Sequence, residues 1–399
     1  MPDSKTKRKP RKQKGWCTMK HSGKVLGGAI LALGLVLGCV SLSLADIQVG
    51  AMHSLTTGLA PLGQRQINSA ILAAEEWNAK GGINGKKIDL IVEDTADSTT
   101  MAMTALDRVL RKDICAILGP IWSFQLFALF PEVKREGVPL LSTSGTRALT
   151  QKNNPWYFRL YPHDGITKRA YTIFAVQELK AKRVAVMCVT TEYGKSGHEL
   201  ILETLKELGL EPVIVTWHNK DDKDMTGQLM SIKRANPDVI ISQAHPADTA
   251  IILKQQRDLG IQVPHVASSA ATMPHIHKLV GPAMDGVYVE AAALPNYDPD
   301  PKIQAWTKRY VKRFKTKPDS FAIIYYDGAN FVFSAIKAVG PDRAKIAKWL
   351  RGNRFQGLAG QYVFDKEQNG AHFAIIVQYS WKDGRVVPRL VKKYDLSPK

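Results

Sequence analysis

Serine and threonine residues follow two predicted strands at positions where their hydroxyls could bind a solute. Ser123 lies at the start of a predicted helix that follows the strand Ile114–Leu118, and Ser144 and Thr146 follow the strand Val138–Ser142. A helix N-terminus offers free N–H donors and partial positive charge, and hydroxyls donate hydrogen bonds without a countercharge. This pattern indicates a site for an anion. The alternative that each residue is only a helix N-cap or turn residue stays open.

Other residue patterns that are typical of enzymes are incomplete. The nucleophile-elbow pattern Gly-x-Ser-x-Gly is absent from the sequence. Residues 194–196 (Gly-Lys-Ser) end like a phosphate-binding loop, but Val189 stands where that motif requires its first glycine. His275 and His277 have no acid nearby at metal-ligand spacing, and Pro274 before them predicts a surface turn. The sequence predicts a protein that is not an enzyme and uses no metal and no cofactor.

The N-terminal 45 residues have the pattern of a secretory signal peptide. Residues 1–24 carry nine Lys or Arg and a single acid, and the run Val25–Ala45 is uncharged and rich in apolar residues. The small residues Ser43 and Ala45 occupy the positions that a leader peptidase reads. We therefore expect residues 1–45 to be removed and the mature protein to act in the periplasm.

Three alternatives at this end stay open. Met19 would begin a signal peptide of ordinary length and is a candidate for the true translation start. The apolar run is about long enough to remain as a membrane anchor. Cys39 lies in a faint lipoprotein-like sequence that would allow lipidation instead of cleavage at Ala45.

Composition narrows the class of protein and of partner. A chain of 399 residues, 45% hydrophobic and 23% charged, favours two domains. Its net charge is +19, and the part after residue 45 keeps +11. Basic residues such as Lys168-Arg169 and Lys312-Arg313 are spread along predicted helices, which indicates a solvated surface and no nucleic-acid partner. Cys115 and Cys188 lie in apolar strands and are predicted to be buried free thiols.

Apolar strands alternate with amphipathic helical segments in two series. The first series runs from Asp46 to about Leu149, the second from about Asp164 to Glu290, and residues 150–163 read as a crossover without a helix. This alternation predicts an α/β fold with two doubly wound, Rossmann-like lobes joined by hinge strands. We expect lobe 1 to comprise residues 46–163 and about 291–357, and lobe 2 residues 164–290 and about 358–399. Ligands of such sheets bind beyond the carboxyl ends of the strands, so two facing lobes predict a cleft.

The segment Ala74–Ile88 (AEEWNAKGGINGKKI) resembles the periplasmic leucine/isoleucine/valine-binding protein family of ABC-transporter receptors. The similarity extends in order over nearly the whole chain after residue 45. Other matching segments are Glu93-Asp94-Thr95, Leu118-Gly119-Pro120, Pro139–Thr146, Glu192–Gly197, Asn296-Tyr297 and Tyr326-Asp327-Gly328. The resemblance implies the type I periplasmic-binding fold, a monomeric binding protein and ABC permease subunits as partners.

The resemblance also implies where a ligand binds. In this family the ligand carboxylate is held mainly by the first lobe, and an aromatic residue of the second lobe closes over the ligand. The implied carboxylate-binding residues are Ser123, Ser144, Gly145 and Thr146. The implied second-lobe contacts are Tyr193, Ala244 and His245, and Trp122 and Phe321 are expected to line the apolar part.

One position departs from the family pattern. Ser269 stands where amino-acid binders of this family usually carry the acid that pairs with the ligand ammonium. Asp327 and Asp248 are candidates to replace that acid. A buried ammonium without a counterion is costly, so we expect a ligand with a carboxylate or amide and no α-amino group. A branched-chain amino acid receptor and a ligand-sensing subunit of a membrane signalling system are the alternatives.

Overall fold

The computed structural model describes residues 46–395, in which helices pack on two separate β-sheets. The strands of the first sheet are β1 (Ile47–His53), β2 (Ile88–Asp94), β3 (Ile114–Leu118), β4 (Leu140–Ser142) and β5 (Tyr157–Arg159). They are all parallel and lie in the order β2-β1-β3-β4-β5. The predicted signal peptide lies outside the described residues.

The second sheet has seven strands. They are β6 (Val184–Val189), β7 (Ile214–His218), β8 (Val239–Gln243), β9 (His265–Ala267), β10 (Tyr288–Ala291), β13 (Phe373–Lys382) and β14 (Arg385–Asp395). Their order is β14-β13-β10-β9-β8-β6-β7. Neighbours from β7 to β10 pair in parallel, whereas β13 and β14 are antiparallel additions at one edge. A small antiparallel pair, β11 (Arg354–Gln356) and β12 (Gln361–Val363), stands apart from both sheets.

Helices connect the strands and cover the sheets. They are α1 (Ala60–Asn78), α2 (Thr99–Leu110), α3 (Ser123–Glu136), α4 (Asp164–Ile173), α5 (Glu192–Glu207), α6 (Thr226–Ala235), α7 (Pro246–Asp258), α8 (Pro274–Val280), α9 (Pro301–Phe314), α10 (Ser320–Val339) and α11 (Arg343–Gly352). Hydrogen-bonded pairs fix α9 and α10 against α1, through Arg309 with Glu76 and Trp77 with Asn330. None of the helices within residues 46–395 is long and apolar enough to span a membrane.

The α/β alternation and the two sheets confirm the predicted fold class, whereas one strand was not predicted and two local predictions are wrong. The crossover segment contains β5 at the edge of the first sheet, preceded by a 3₁₀ turn at Arg147–Lys152. The segment around His275 and His277 is the short helix α8, because a proline is well tolerated in the first turn of a helix. Lys168, predicted to be a surface charge, is 1% exposed.

Close packing at Gly194 sets the start of α5 on the end of β6. A Cβ atom at this position would lie 1.7 Å from the carbonyl oxygen of Val189, so only glycine fits. This glycine, which resembled part of a phosphate loop in the sequence, therefore brings a helix close to a strand. As predicted, Cys115 and Cys188 are buried free thiols, and burial raises the pKa of each to about 12.

His53 at the end of β1 is buried in contact with the Tyr325 ring, and neither ring nitrogen has a hydrogen-bond partner within residues 46–395. Burial lowers the pKa of His53 to about 3. The unfolded chain binds this proton near pH 6.5, so stability present at neutral pH is lost as the pH falls from 6.5 towards 3. Acidification from pH 7 to pH 5 is expected to lower the free energy of unfolding by about 2 kcal/mol through His53. In His53→Phe this part of the loss is expected to disappear.

Urea unfolding at the two pH values measures this change. His198→Phe is the matched control, because His198 is only partly buried and lies beside Trp217. If wild type and His53→Phe lose equal stability on acidification, His53 is not the source of the loss.

Candidate functional site

A cavity of about 70 Å³ lies between the carboxyl ends of the strands of the two sheets. Residues that follow β3 and β4 line it from the first sheet, and residues that follow β6, β8 and β9 line it from the second. Its lining includes these predicted site residues: Trp122, Ser123, Ser144, Gly145, Tyr193, Ala244, His245, Ser269 and Phe321. These residues therefore meet beyond the carboxyl ends of the strands, the place where sheets of this topology generally bind ligands.

Three hydroxyl groups cluster on the first-sheet side of the cavity. Ser123 Oγ lies 2.5 Å from Thr146 Oγ1 and 3.3 Å from Ser144 Oγ, and all three side chains are buried. Ser123 is the first residue of α3, so the free N–H groups of that helix open on the same region. Thr146 differs from the prediction in that it does not line the cavity and stands behind Ser123.

A buried arginine orders the loop that carries these hydroxyls. Arg159 at the end of β5 is fully buried, and its guanidinium donates a 2.6 Å hydrogen bond to the carbonyl oxygen of Thr146. A second guanidinium nitrogen donates to Asn369 Oδ1 at 3.1 Å. The loop after β4 is therefore held by a charge-assisted bond that the sequence did not reveal.

Aromatic rings meet across the cavity. The His245 ring stacks on Tyr193 with centroids 5.3 Å apart, and it meets the Trp122 ring edge-on at 4.8 Å. Burial lowers the pKa of His245 to about 3, so the imidazole is neutral at physiological pH. Phe321 stacks on Tyr161 at 4.5 Å. These rings give the cavity apolar walls that carry no charge.

A buried ion cluster adjoins the cavity, and two of its members, Asp164 and Lys168, line it. Lys168 Nζ lies 2.7 Å from Glu290 Oε1 and 3.6 Å from Asp164 Oδ1, and all three side chains are at most 2% exposed. Burial acts to lower the pKa of Lys168, but the charges of its neighbours, chiefly Glu290, and the hydrogen bond to Glu290 together outweigh burial and hold that pKa above its ordinary value. Burial raises the pKa of Asp164, and Lys168 opposes that rise. Lys168 is thus a charged ammonium inside the protein.

Comparison with known proteins identifies the architecture. The sequence profile of the family described as periplasmic binding protein matches residues 46–385. The chain belongs to this family.

Relatives and solved structures agree with this placement. An amino acid binding protein of Pseudomonas aeruginosa is 24% identical over 370 residues, covering 91% of this chain and 98% of the relative. A leucine-binding protein of Thermotoga maritima superposes with a TM-score of 0.78 at 24% identity, covering 88% of this chain and 99% of that one. A solute-binding protein of an ABC transporter from Rhodopseudomonas palustris, solved with 3,4-dihydroxybenzoic acid, gives 0.80 at 20% identity, covering 88% and 98%.

In this periplasmic binding protein the two acids considered as substitutes do not line the cavity. Asp327 accepts the N–H groups of Leu358 and Ala359 and the hydroxyl of Tyr362. Asp248 accepts the N–H of Asp221. Both carboxylates therefore have structural partners elsewhere, and neither candidate lies in the cavity lining.

The acid that does line the cavity, Asp164, was missed together with Lys168 and Tyr161. Asp164 and Lys168 stand four residues apart at the start of α4, a spacing that also occurs in ordinary surface ion pairs. Their burial depends on partners distant in sequence, Gly145 and Ser196 for Asp164 and Glu290 for Lys168. Among residues 46–395, no group of three or more His, Cys, Asp or Glu is placed to hold a metal ion.

Proposed function

We propose that the chain is the extracytoplasmic receptor of an ABC importer and binds a small solute that carries a carboxylate or amide and no α-amino group. Family membership supports the receptor role, and the cavity chemistry supports the ligand class. The decisive observation is that neutral donors cluster at one end of the cavity, while the ammonium that lines it, Lys168, is already paired with two acids.

The first-lobe residues supply the anion-binding end. Ser123 and Ser144 offer hydroxyls, Gly145 offers a closely approaching backbone, and the α3 N-terminus offers N–H groups. Thr146 hydrogen-bonds to Ser123 and so orients its hydroxyl. In the ligand-bound form a carboxylate would accept hydrogen bonds from these donors. Such bonds are stronger than hydrogen bonds between two neutral groups because the acceptor is charged.

Second-lobe residues complete the enclosure. Tyr193, His245 and Ser269 would close over the solute, and Ala244 leaves room beside them. Trp122 and Phe321 provide apolar contact for the body of the ligand. We further propose that the lobes comprise residues 46–163 with about 291–357, and 164–290 with about 358–399, and that they close by hinge motion. Ligand that bridges them shifts the population towards the closed form.

The fold admits either ligand class, because neighbours bind different solutes. The Thermotoga maritima neighbour is described as a leucine-binding protein, whereas the Rhodopseudomonas palustris neighbour holds an aromatic acid. The cavity of this chain favours the second class. Ser269 cannot neutralise an ammonium, and its backbone N–H instead donates to Glu290 at 2.9 Å. The proposed role places the protein in the periplasm, working as a monomer with permease subunits.

Calorimetry with matched pairs tests the ligand class. Leucine is compared with 4-methylpentanoate, and phenylalanine with 3-phenylpropanoate, with benzoate added as an aromatic acid. We expect acids to bind and to raise Tm, since binding to the native state alone stabilises it. Small-angle scattering should show a more compact particle with the bound acid. Tight leucine binding together with no acid binding would reject the proposed ligand class in favour of a branched-chain amino acid receptor.

A further inference from the structure

The Lys168 side chain occupies an unusual position for a lysine. It extends from the second turn of α4 into the protein, is 1% exposed and lines the cavity. Its ammonium lies 5.6 Å from the centroid of the Tyr193 ring and 5.3 Å from that of Tyr171. A lysine is almost never buried to this degree unless it is paired, so its partners determine what it does.

Two carboxylates share this single ammonium. Glu290 Oε1 accepts from Lys168 and from the N–H of Ser269, while Glu290 Oε2 is buried without a hydrogen-bond partner in the described part of the chain. Asp164 accepts the Ser196 hydroxyl at 3.1 Å and lies 3.6 Å from Lys168. Two acids and an aromatic ring around an ammonium form the environment that a ligand ammonium would require. In this protein, the ammonium that fills that environment is its own.

We propose that Lys168 is a built-in counter-cation that determines ligand selectivity. With Lys168 in place, a ligand ammonium entering this end of the cavity meets a like charge and competes with it for the same two acids. A ligand without an ammonium meets neither penalty. The inference rests on the proposed function and adds the residue that selects acids over the corresponding α-amino acids.

If the ion pair had a purely structural role, the variants would behave differently. Removing Lys168 would then lower stability and leave the ratio of the two affinities unchanged, because both ligands bind the same native state. A selectivity role predicts opposite shifts in that ratio for opposite changes of charge. Lys168→Met removes the cation at similar side-chain length and leaves two acids. Glu290→Gln keeps the cation and leaves only Asp164 to pair with it.

Isothermal titration calorimetry on the purified protein tests the proposal with 4-methylpentanoate and leucine as probes. Wild type is expected to prefer the acid. Lys168→Met is expected to lower the acid-to-amino-acid preference by about tenfold or more, and Glu290→Gln to raise it by a similar factor. Circular dichroism identifies any variant that does not fold. If Lys168→Met is unfolded, the Glu290→Gln ratio alone decides.

The outcomes separate the two proposals. A wild-type preference for leucine overturns the proposed ligand class, and the role of Lys168 falls with it. A wild-type preference for the acid, with the same ratio in both folded variants or with shifts in one direction, overturns only the role of Lys168.

Discussion

Replacing Ser123 with alanine is expected to lower the affinity for a small carboxylate by about ten- to a hundredfold, because a hydrogen bond to a charged acceptor contributes roughly 1.5–3 kcal/mol. Ser123 lines the cavity, begins α3 and contacts the hydroxyls of both Ser144 and Thr146. Thr146→Val, which keeps the side-chain shape, is expected to weaken binding less, since Thr146 acts through Ser123. Calorimetry with 4-methylpentanoate or benzoate measures both changes.

Ser98→Ala is the matched control for this series. Ser98 caps α2 through a 3.3 Å hydrogen bond from the N–H of Met101, and it does not line the cavity. Loss of an N-cap costs about 1 kcal/mol of stability, so Tm should fall while affinity stays unchanged. The Ser123 assignment is rejected if Ser123→Ala is folded and binds the acid as tightly as wild type does.

The part of the site that was predictable from the sequence lies at strand ends. Side chains that directly follow buried parallel strands meet at one edge of the sheet, so the positions of Ser123, Ser144 and His245 along the chain are enough to put them near a cleft. The apolar strands themselves mark where the sheets are. The order of the elements then gives the two-sheet architecture, because parallel neighbours require helical crossovers.

Prediction from the sequence failed mainly for charged residues on helices. Lys168-Arg169 reads as an ordinary basic surface pair, and Arg169 is indeed partly exposed in a pair with Glu207. Its neighbour Lys168 points the opposite way, towards Glu290 on β10, a strand 122 residues further along the chain. Sequence spacing contains no information about such a long-range partner. The burial of one residue and the exposure of the next depend on how α4 packs on the second sheet.

Prediction from the sequence also failed for short secondary-structure elements. Strand β5 has three residues, Tyr157–Arg159, and pairs with β4 on one side, while the Arg159 backbone also bonds to residues 368 and 370 on the other. Its last residue, Arg159, supports the Thr146 loop, so the missed strand also hid a residue that shapes the site. Periodicity needs more than three residues to be detected. The strand is therefore defined by its tertiary pairing and not by a local sequence pattern.

Gly145→Ala is expected to weaken acid binding by at least tenfold and to lower the free energy of unfolding by about 1–3 kcal/mol. A Cβ atom at Gly145 would lie 2.6 Å from Asp164 Oδ1, well inside van der Waals contact. That carboxylate cannot turn away freely, because Asp164 accepts from Ser196 and its N–H donates to the carbonyl oxygen of Gly145 at 2.8 Å. The methyl group must displace the hydroxyl-bearing loop, the ion cluster of Lys168, or both.

Gly227→Ala provides the comparison, since no atom outside its own stretch of helix lies within 4 Å of a Cβ at that position and alanine favours helices. We expect Gly227→Ala to bind acids as wild type does and to be equally or more stable. Thermal unfolding and calorimetry on both variants measure the two effects. Equal affinities in the two variants would show that the approach of Gly145 to Asp164 does not control the site. A loss of binding confined to Gly145→Ala would connect the anion-binding loop to the charged cluster through one steric contact.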